Sequence, residues 1–307
     1  MKYYIGVDGG GTKTACALFN EKKEILSEYK VPGSNHENLE GSYDEAADII
    51  ASGVFGLTES SGLTMADISG MFMGLAGVDH PFQHDILCEK LAERGLVRFE
   101  ICNDGFLGLM AGIPDCVGVA YNCGTGTVSV SIGEDGKQLQ LGGFGDLSGD
   151  AGNGDWITHR VVAAVYTDSF LGRERTALTE IVGRTEPEFL NIISGLDGDD
   201  LDHWRRILTD AFFEAVNSGD GVALRIVDIM ADRGSALIAA HIGAQKFTKD
   251  PVPVLLSGSM HTKMPNDIYI EKLKKQTEER SGRLVDMKKL DVPPVYGCIN
   301  KLIADSL

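Results

Sequence analysis

Two glycine- and threonine-rich turns, each directly behind a short apolar run, constrain the fold of this chain more than any other feature. The first, DGGGTKT at 8–14, follows the run 3–7, and the second, NCGTGT at 122–127, follows the run 117–121. Glycine adopts positive φ without a Cβ clash, so consecutive backbone N–H groups can point into one concavity that binds phosphate. One such turn alone could be a tight hairpin. Two in equivalent places predict a duplicated fold in which both turns face one phosphate-bearing ligand.

The order of apolar runs and helical periods around these turns predicts an α/β protein of two related halves. In the first half, strands are expected at 3–7, 14–19, 24–30, 70–75 and 97–102. In the second half, strands are expected at 117–121, 128–132, 137–141, 252–256 and 283–287. We therefore predict one domain at 1–112 and another at 113–292, with a helical insertion at about 156–245. A last helix at about 293–307 is expected to pack back on the first domain.

Composition narrows the classes of partner. The 307 residues exceed the length at which a single core usually stops growing, and a 43% hydrophobic content allows two cores. Asp and Glu outnumber Lys and Arg by 45 to 28, and the net charge of −17 argues against nucleic acid and membranes as partners. No run approaches the ~18 apolar residues of a spanning helix, and no signal peptide is recognisable, so a cytoplasmic protein is expected. The six cysteines form no C-x-x-C pair, which favours reduced, structural thiols.

The first turn is not a nucleotide P-loop, although Gly6 to Thr14 nearly matches the pattern G-x-x-x-x-G-K-[ST]. Thr12 intrudes before Lys13, and a strand rather than a helix is expected to follow. Asp8 opens the turn with a negative charge, which repels a phosphate unless a cation stands between them. Magnesium binds nucleotide phosphates through oxygen ligands and keeps several waters, so Asp8 is predicted to anchor a hydrated Mg²⁺ ion.

Two further stretches carry candidate ligand groups. The segment 142–155 is dense in glycine and holds three aspartates, which favours a ligand-binding loop over an ordinary connection. Asp104 follows the predicted strand 97–102 and so lies at its carboxyl end, where open α/β sheets bind ligands. A carboxylate there can accept the proton of a substrate hydroxyl as that oxygen attacks a γ-phosphoryl group. The alternative is that Asp104 caps the following helix, because Asp is a favoured N-cap residue.

Taken together, these motifs resemble the N-acetylglucosamine kinase branch of the BadF/BadG/BcrA/BcrD-type ATPases, in the sugar kinase, heat-shock chaperone and actin superfamily. The resemblance rests on GVDGGGTKTACALF at 6–19, Asn103-Asp104, NCGTGTVSVS at 122–131, the segment 142–157 and LLSGSM at 255–260. It covers nearly the whole chain, and 160–245 is the least diagnostic part. It implies a duplicated actin-like (ribonuclease H-like) ATPase fold, with two domains around a nucleotide cleft.

The resemblance also implies a function, namely ATP- and Mg²⁺-dependent phosphorylation of the 6-hydroxyl of an N-acetylated hexosamine by a homodimer. The first candidate for the sugar is N-acetylglucosamine, and Asp104 matches the catalytic aspartate of the family. The implied phosphate-binding residues are Gly9, Gly10, Gly11, Thr12, Lys13, Thr14, Gly124, Thr125, Gly126 and Thr127. The implied adenosine-binding residues are Gly258 and Ser259. The implied sugar-binding residues are Asn35, His36, Asp104, Thr125, Gly126 and Asp150.

Two positions depart from the family pattern. Ala151 stands where the GDEG-like motif around Asp150 usually has glutamate, which leaves the amino sugar open, with glucosamine and N-acetylmuramic acid as alternatives. Ser259 stands where the adenosine loop usually has a second glycine, a small change because serine is small.

Two other functions fit parts of the sequence. The dehydratase-activator branch of the same superfamily, which serves 2-hydroxyacyl-CoA dehydratases, couples ATP hydrolysis to electron transfer through an iron–sulfur cluster held between two subunits. That function would require exposed cysteines at a dimer interface, and the candidates are Cys102, Cys116 and Cys123. A non-enzymatic actin-like nucleotide switch needs no sugar pocket, so the candidate sugar ligands argue against it.

Overall fold

The structure is a computed structural model that describes residues 2–124, 126–145, 149–185, 188–189 and 198–304. The chain forms two compact units: unit 1 comprises Met1–Ala120 and Leu290–Leu307, and unit 2 comprises Tyr121–Lys289. The described residues form one five-stranded sheet with helices packed on it in each unit, which confirms the predicted α/β class. The domain boundaries expected from the sequence, after residues 112 and 292, stay a prediction.

Unit 1 is built on a mixed sheet in the order β3-β2-β1-β4-β5. Its strands are β1 (Tyr3–Gly9), β2 (Lys13–Asn20), β3 (Ile25–Pro32), β4 (Ile68–Leu75) and β5 (Phe99–Asn103). β1 and β2 form an antiparallel hairpin, and β3 continues it on the far side of β2. β4 pairs with β1 in parallel and β5 pairs with β4 in parallel, so β1, β4 and β5 all end at the same edge.

The helices of unit 1 bury the apolar side chains of its sheet. They are α1 (Ser42–Ser60), α2 (Pro81–Glu93), α3 (Gly105–Gly112) and α10 (Tyr296–Ala304), with a 3-10 turn at His36–Asn38. α1 packs on β2 and β3 through Ile50, Val54 and Leu57, which are fully buried and recur at helical spacing. α10 packs on α3, β1 and β4.

Unit 2 has a sheet in the order β10-β9-β6-β7-β8. The strands of this sheet are β6 (Gly118–Cys123), β7 (Thr127–Ile132), β8 (Gln138–Gly142), β9 (Val252–Ser257) and β10 (Val285–Lys289), and the boundary between the units falls within β6, after Ala120. The second glycine turn therefore joins β6 to β7, as the first joins β1 to β2. This repetition is the duplication that the two turns predict.

The helices of unit 2 include those of the region 156–245, which was predicted to be helical. They are α4 (Gly154–Ser169), α5 (Ala177–Thr185), α6 (Gly198–Asn217), α7 (Gly221–Ala244), α8 (Ser259–Lys263) and α9 (Ile268–Ser281). Asp220 caps α7, because its Oδ1 atom accepts the N–H groups of Val222 at 3.0 Å and Ala223 at 2.9 Å. Among the described residues, no helix has the length and apolar character needed to cross a membrane.

Candidate active site

The carboxyl ends of three parallel strands in unit 1 bring three aspartates to one edge of the sheet. The last residues of β1, β4 and β5 are directly in register. Asp8 is the penultimate residue of β1, Asp79 lies in the loop after β4, and Asp104 follows β5 immediately. The negative charges of Asp8 and Asp79 both raise the pKa of Asp104, so the three carboxylates share one electrostatic environment. Because parallel α/β sheets bind ligands at this edge, it is the centre of the candidate active site.

The local geometry of Asp104 decides between a helix cap and a free carboxylate. Asp104 stands at the N-cap position of α3, but within the described chain its side chain makes no capping hydrogen bond. The amide of Gly105 donates instead to Oδ1 of Asn103, at 2.9 Å. Asn103 Nδ2 donates to Asp79 Oδ1 at 3.0 Å, which ties the loop after β4 to the start of α3. The capping role therefore belongs to Asn103, and the Asp104 carboxylate is left for other chemistry.

The environment of Asp104 tunes its basicity. Burial, followed by the charges of Asp8 and Asp79, raises the pKa of its carboxyl group to about 6. The nearby backbone amides of Asp104 and Gly105 offset part of this rise, although neither makes a capping bond to the side chain. A carboxyl group with this pKa is largely ionised at neutral pH and still basic enough to take a proton, which is the balance a general base needs.

Asp8 is the residue predicted to anchor magnesium. Burial raises the pKa of its carboxyl group, and the positive charge of Lys13 partly opposes that rise. In the described ranges, no three His, Cys, Asp or Glu side chains are grouped so that they could hold a metal ion. Magnesium at nucleotide phosphates commonly takes only one or two carboxylates and keeps several waters. The donor set at this edge therefore fits a hydrated ion shared with a phosphate rather than an ion caged by protein ligands.

The first glycine turn is the tip of the β1–β2 hairpin, closed by a backbone hydrogen bond of 3.0 Å from Gly10 to Lys13. Residues 11–13 are exposed at this tip, where a ligand can reach them. Thr14 differs, because it is fully buried and its hydroxyl donates to Ser34 Oγ at 2.8 Å. The Thr14 hydroxyl thus fastens the turn to the neighbouring segment, and its phosphate contact stays a prediction.

The segment that is predicted to contact the sugar lies directly against this turn. The Ser34 amide donates to the Gly10 carbonyl at 3.0 Å. A Cβ atom on Gly33 would lie 2.2 Å from the carbonyl oxygen of Gly11, so a side chain at Gly33 would force the two backbones apart. The candidate phosphate turn and the candidate sugar segment are therefore packed as one piece.

Asn35 and His36 follow at the end of this segment. Asn35 Oδ1 accepts the Glu37 amide at 3.0 Å, and the buried His36 ring stacks on Tyr43 with centroids 3.9 Å apart. Burial lowers the pKa of His36, so its imidazole is neutral at physiological pH. Gly77, at φ +80°, touches both residues, since a Cβ atom there would lie 2.5 Å from Asn35 Oδ1. The loop after β4 thus positions Asn35 and His36 as well as Asp79.

In unit 2, the second glycine turn is anchored to the start of α4. The Gly124 amide donates to the Gly126 carbonyl at 2.9 Å, and the Gly124 carbonyl accepts the Gly154 amide at 2.9 Å. Thr125, predicted to bind both phosphate and sugar, lies outside the described residues. The predicted contacts of Gly124 and Gly126 with phosphate stay predictions.

The loop before α4 is held to this turn by hydrogen bonds. Thr127 is buried, and its hydroxyl donates to the Ala151 carbonyl at 3.2 Å. Asp150 is also buried, and its Oδ2 atom accepts the amides of Gly143 and Gly145, both at 2.9 Å. Asp150 therefore organises the loop, and its contact with a sugar remains a prediction.

The predicted adenosine loop also lies against the second turn. Gly258, at φ +93°, precedes Ser259, the first residue of α8. A Cβ atom on Gly258 would lie 2.4 Å from the Cys123 carbonyl oxygen and 2.5 Å from Asn122 Oδ1. Glycine is required here for both its backbone conformation and the close approach.

Asp79 and Gly77 are the residues of this site that the sequence patterns did not single out. A signal was present, because Asp79 follows the apolar run 70–75 much as Asp104 follows 97–102. Gln83 fixes the loop that carries Asp79, since its Oε1 atom accepts the Asp79 amide at 2.9 Å just before α2 begins. The glycines of this stretch are not consecutive as they are at 9–11, so they do not form a recognisable phosphate-binding turn.

The cysteines do not support the iron–sulfur alternative. Within the described residues none of the six cysteines forms a disulfide; of the three candidates, Cys102 and Cys123 are buried and Cys116 is half-buried. Burial raises the pKa of the Cys102 and Cys123 thiols, that of Cys123 to about 12. An interface cluster would need its cysteines exposed and deprotonated, so Cys102 and Cys123 do not fit that role, and Cys116 alone could not hold a cluster.

Two α/β sheets, each with a glycine turn after a strand, and an aspartate cluster at a carboxyl edge define a protein of the actin-like ATPase fold. A solved structure from Chromobacterium violaceum has the same fold, with a TM-score of 0.70, 20% identity and 99% of both chains covered. The sequence profile of the BadF/BadG/BcrA/BcrD ATPase family matches residues 5–287. The chain belongs to this family, as its motifs predict.

Two relatives indicate the chemistry found among similar proteins. An N-acetylmuramic acid/N-acetylglucosamine kinase of Clostridium acetobutylicum is 26% identical over 237 residues, 74% of this chain and 75% of the relative. An N-acetyl-D-glucosamine kinase of Dictyostelium discoideum is 26% identical over 284 residues, 85% of this chain and 86% of the relative.

Proposed function

We propose that this protein is an ATP-dependent sugar kinase that transfers the γ-phosphoryl group of ATP to the 6-hydroxyl of an N-acetylated hexosamine, with N-acetylglucosamine as the first candidate. The observation that carries the proposal is the uncapped Asp104 carboxylate at the carboxyl edge of the unit 1 sheet, with its pKa raised to about 6. The family and the names of the two kinase relatives support the substrate class.

In the proposed reaction, Asp104 accepts the proton of the sugar hydroxyl as that oxygen bonds to the γ-phosphorus. The bond from the γ-phosphorus to the β–γ bridging oxygen breaks, and ADP leaves with that oxygen. Phosphoryl transfer depends mainly on positioning and charge stabilisation, so the orientation of Asp104 matters as much as its basicity. The Asn103–Asp79 hydrogen bond supports that orientation from the side of β4.

Magnesium fits this scheme at Asp8, where it supplies positive charge that neutralises the phosphates. The exposed turn residues 11–13 are the proposed phosphate contacts of unit 1, and Gly124 and Gly126 are those of unit 2. Asn35 and His36 are the proposed sugar contacts beside Asp79. Asp150 is proposed to support the sugar site through the loop that it organises.

A substrate panel tests the proposal. ADP release with Mg²⁺ is measured for N-acetylglucosamine, glucosamine, N-acetylmuramic acid, N-acetylmannosamine and glucose, and product NMR locates the phosphate. We expect N-acetylglucosamine to raise ADP release well above the sugar-free rate, with phosphate on O6. No stimulation by any sugar would refute the kinase function, and phosphate on O1 or O3 would refute the assigned position.

The Asp104→Asn variant tests the assigned base. Turnover should fall by roughly 10² to 10⁴, the usual contribution of a general base, while ATP affinity is kept. Turnover within a few-fold of the parent would remove Asp104 from that role.

A further inference from the structure

A cavity of about 320 Å³ lies at the edge of the unit 1 sheet where its parallel strands begin. The starts of β1, β4 and β5 and the end of α10 line it, and the lining residues include Tyr4, Ser69, Gly70, Arg98, Glu100 and Leu302. All of these residues belong to unit 1. The aspartates of the candidate active site lie where the same three strands end, so the cavity is a separate feature of this unit.

The backbone around this cavity departs from regular geometry at two positions. The pairing of β1 with β4 shifts between Tyr3 and Tyr4, so Ser69 has no partner residue on β1. Arg98, directly before β5, has a φ of +56°, a left-handed conformation that residues other than glycine seldom adopt. Bulges and left-handed residues of this kind are both common beside ligand sites. Their occurrence at one cavity marks it as a candidate binding site.

Arg98 and Glu100 contribute opposite charges to the cavity lining, yet they do not pair with each other. Both residues are exposed, and within the described chain neither has an oppositely charged side chain within 4.0 Å. The Arg98 Nη2 atom donates instead to the carbonyl oxygen of Met65 at 2.6 Å, which orients the guanidinium group without neutralising it. One positive and one negative group are therefore available to a ligand.

The wall between these charges and α10 is apolar. Tyr4 is buried and Leu302 is half-buried. A Cβ atom on Gly70 would lie 3.3 Å from Leu302 Cδ2 and 3.9 Å from Tyr4 Cδ1, so a larger residue at Gly70 would extend into the space between these two side chains. The cavity volume falls within the range of small-molecule sites, which begins at about 300 Å³. The lining thus combines an apolar wall with two unpaired charges.

We propose that this cavity binds the zwitterion of a small apolar amino acid of about the size of leucine. The ligand carboxylate pairs with Arg98, its ammonium group pairs with Glu100, and its side chain covers Tyr4 and Leu302. A ligand with a single charge would meet a group of the same sign, and a neutral ligand would leave both groups unpaired. The inference does not rest on the proposed kinase function, because its residues lie at the opposite edge of the sheet from the candidate active site.

Calorimetry with four ligands, in the absence of ATP and sugar, tests the inference. Leucine is the full zwitterion, leucinamide lacks the carboxylate, 4-methylpentanoate lacks the ammonium group, and serine lacks the apolar side chain. Each ligand is titrated into the parent, Arg98→Gln and Glu100→Gln. Lys22→Gln and Glu89→Gln, at exposed positions of unit 1 outside the cavity wall, are the matched controls. Melting curves check that each variant folds.

We expect the parent to bind leucine about 10-fold or more tightly than each of the other three ligands, the usual effect of a hydrogen bond to a charged group or of a buried aliphatic side chain. Arg98→Gln should lose about 10-fold or more on leucine and much less on leucinamide. Glu100→Gln should lose as much on leucine and much less on 4-methylpentanoate. The two control variants should bind all four ligands as the parent does.

Two results would overturn the inference and leave the cavity as a solvated surface crevice. The first is a parent that binds leucine no more tightly than serine. The second is a leucine affinity that is the same in the parent, Arg98→Gln and Glu100→Gln.

Hydrogen exchange of the parent locates the ligand without any variant. At saturating leucine, the amides of residues 69–71 and 98–100 should exchange more slowly, whereas those of α9 in unit 2 should not change. Protection confined to other parts of the chain would place leucine elsewhere and overturn the assigned site.

Discussion

Replacing Asp104 by asparagine should stabilise the folded protein at neutral pH, even though it should greatly reduce turnover. The ordinary pKa of an aspartate is 3.8, and burial with the charges of Asp8 and Asp79 raises the pKa of Asp104 to about 6. One pKa unit corresponds to about 1.4 kcal/mol, so the ionised group costs the folded state up to about 3 kcal/mol. Because Asp104 keeps partial contact with water and its surroundings can relax, we expect a measured gain of about 1 to 3 kcal/mol.

The pH dependence of this gain has a definite sign. Below about pH 4, Asp104 is protonated in both the folded and the unfolded chain, and it costs nothing. As the pH rises from about 4 to about 6, the unfolded chain loses the proton first and the folded state is penalised increasingly. Above about pH 6, both states are ionised and the penalty is constant. The advantage of Asp104→Asn should therefore appear between these values and be full at neutral pH.

Urea unfolding followed by circular dichroism measures this gain. Unfolding free energies of the parent and Asp104→Asn are compared at about pH 7.5 and about pH 4, with EDTA present so that no metal neutralises the carboxylates. Asp291→Asn, at an exposed aspartate of the same unit, is the matched control and should change little. A variant that is no more stable than the parent at neutral pH, or a gain of equal size at both pH values, would refute the electrostatic account of this site.

Three further changes test other parts of the site. Asp79→Asn removes a charge that raises the pKa of Asp104. The acidic limb of the pH profile of kcat/KM, expected near pH 6 in the parent, should therefore move to lower pH. A limb that does not move would show that the charge of Asp79 does not act on Asp104. Gly77→Ala should raise the sugar KM and lower the melting temperature, whereas Gly62→Ala, also at positive φ but with open space around it, should leave the KM unchanged. Gly258→Ala should weaken nucleotide binding in calorimetry, because its Cβ would meet a backbone oxygen at 2.4 Å; unchanged affinity would exclude this turn from the nucleotide site.

The sequence predicts the strands, the two turns and the family because their signals are local. The three consecutive glycines at 9–11, which follow the apolar run 3–7 and Asp8, specify a sharp turn independently of distant parts of the chain. Asp104 could be predicted as a candidate site residue for the same reason, because the residues just before it predict the strand that it follows.

Contacts between distant residues could not be predicted in this way. Asn103 and Asp79 are 24 positions apart, and only the pairing of β4 with β5 brings them together. Thr14 has the residue type of a phosphate ligand, yet its hydroxyl donates to Ser34, 20 positions away. A motif identifies the groups that could bind a ligand, but only the folded structure shows which of those groups already hydrogen-bond to other parts of the chain.

The packing of Gly33 on Gly11 has a consequence for how the two substrates bind. A ligand that immobilises the candidate phosphate turn should also immobilise the candidate sugar segment, because the two backbones are packed against each other and joined by a hydrogen bond. The second ligand would then meet a site that has already lost conformational freedom, so we expect it to bind with positive cooperativity. Thermodynamic linkage requires the effect to be mutual, and calorimetry with a non-hydrolysable ATP analogue should show sugar and nucleotide each tightening the other by the same factor. The synergy would then originate in two glycines that touch neither reacting atom.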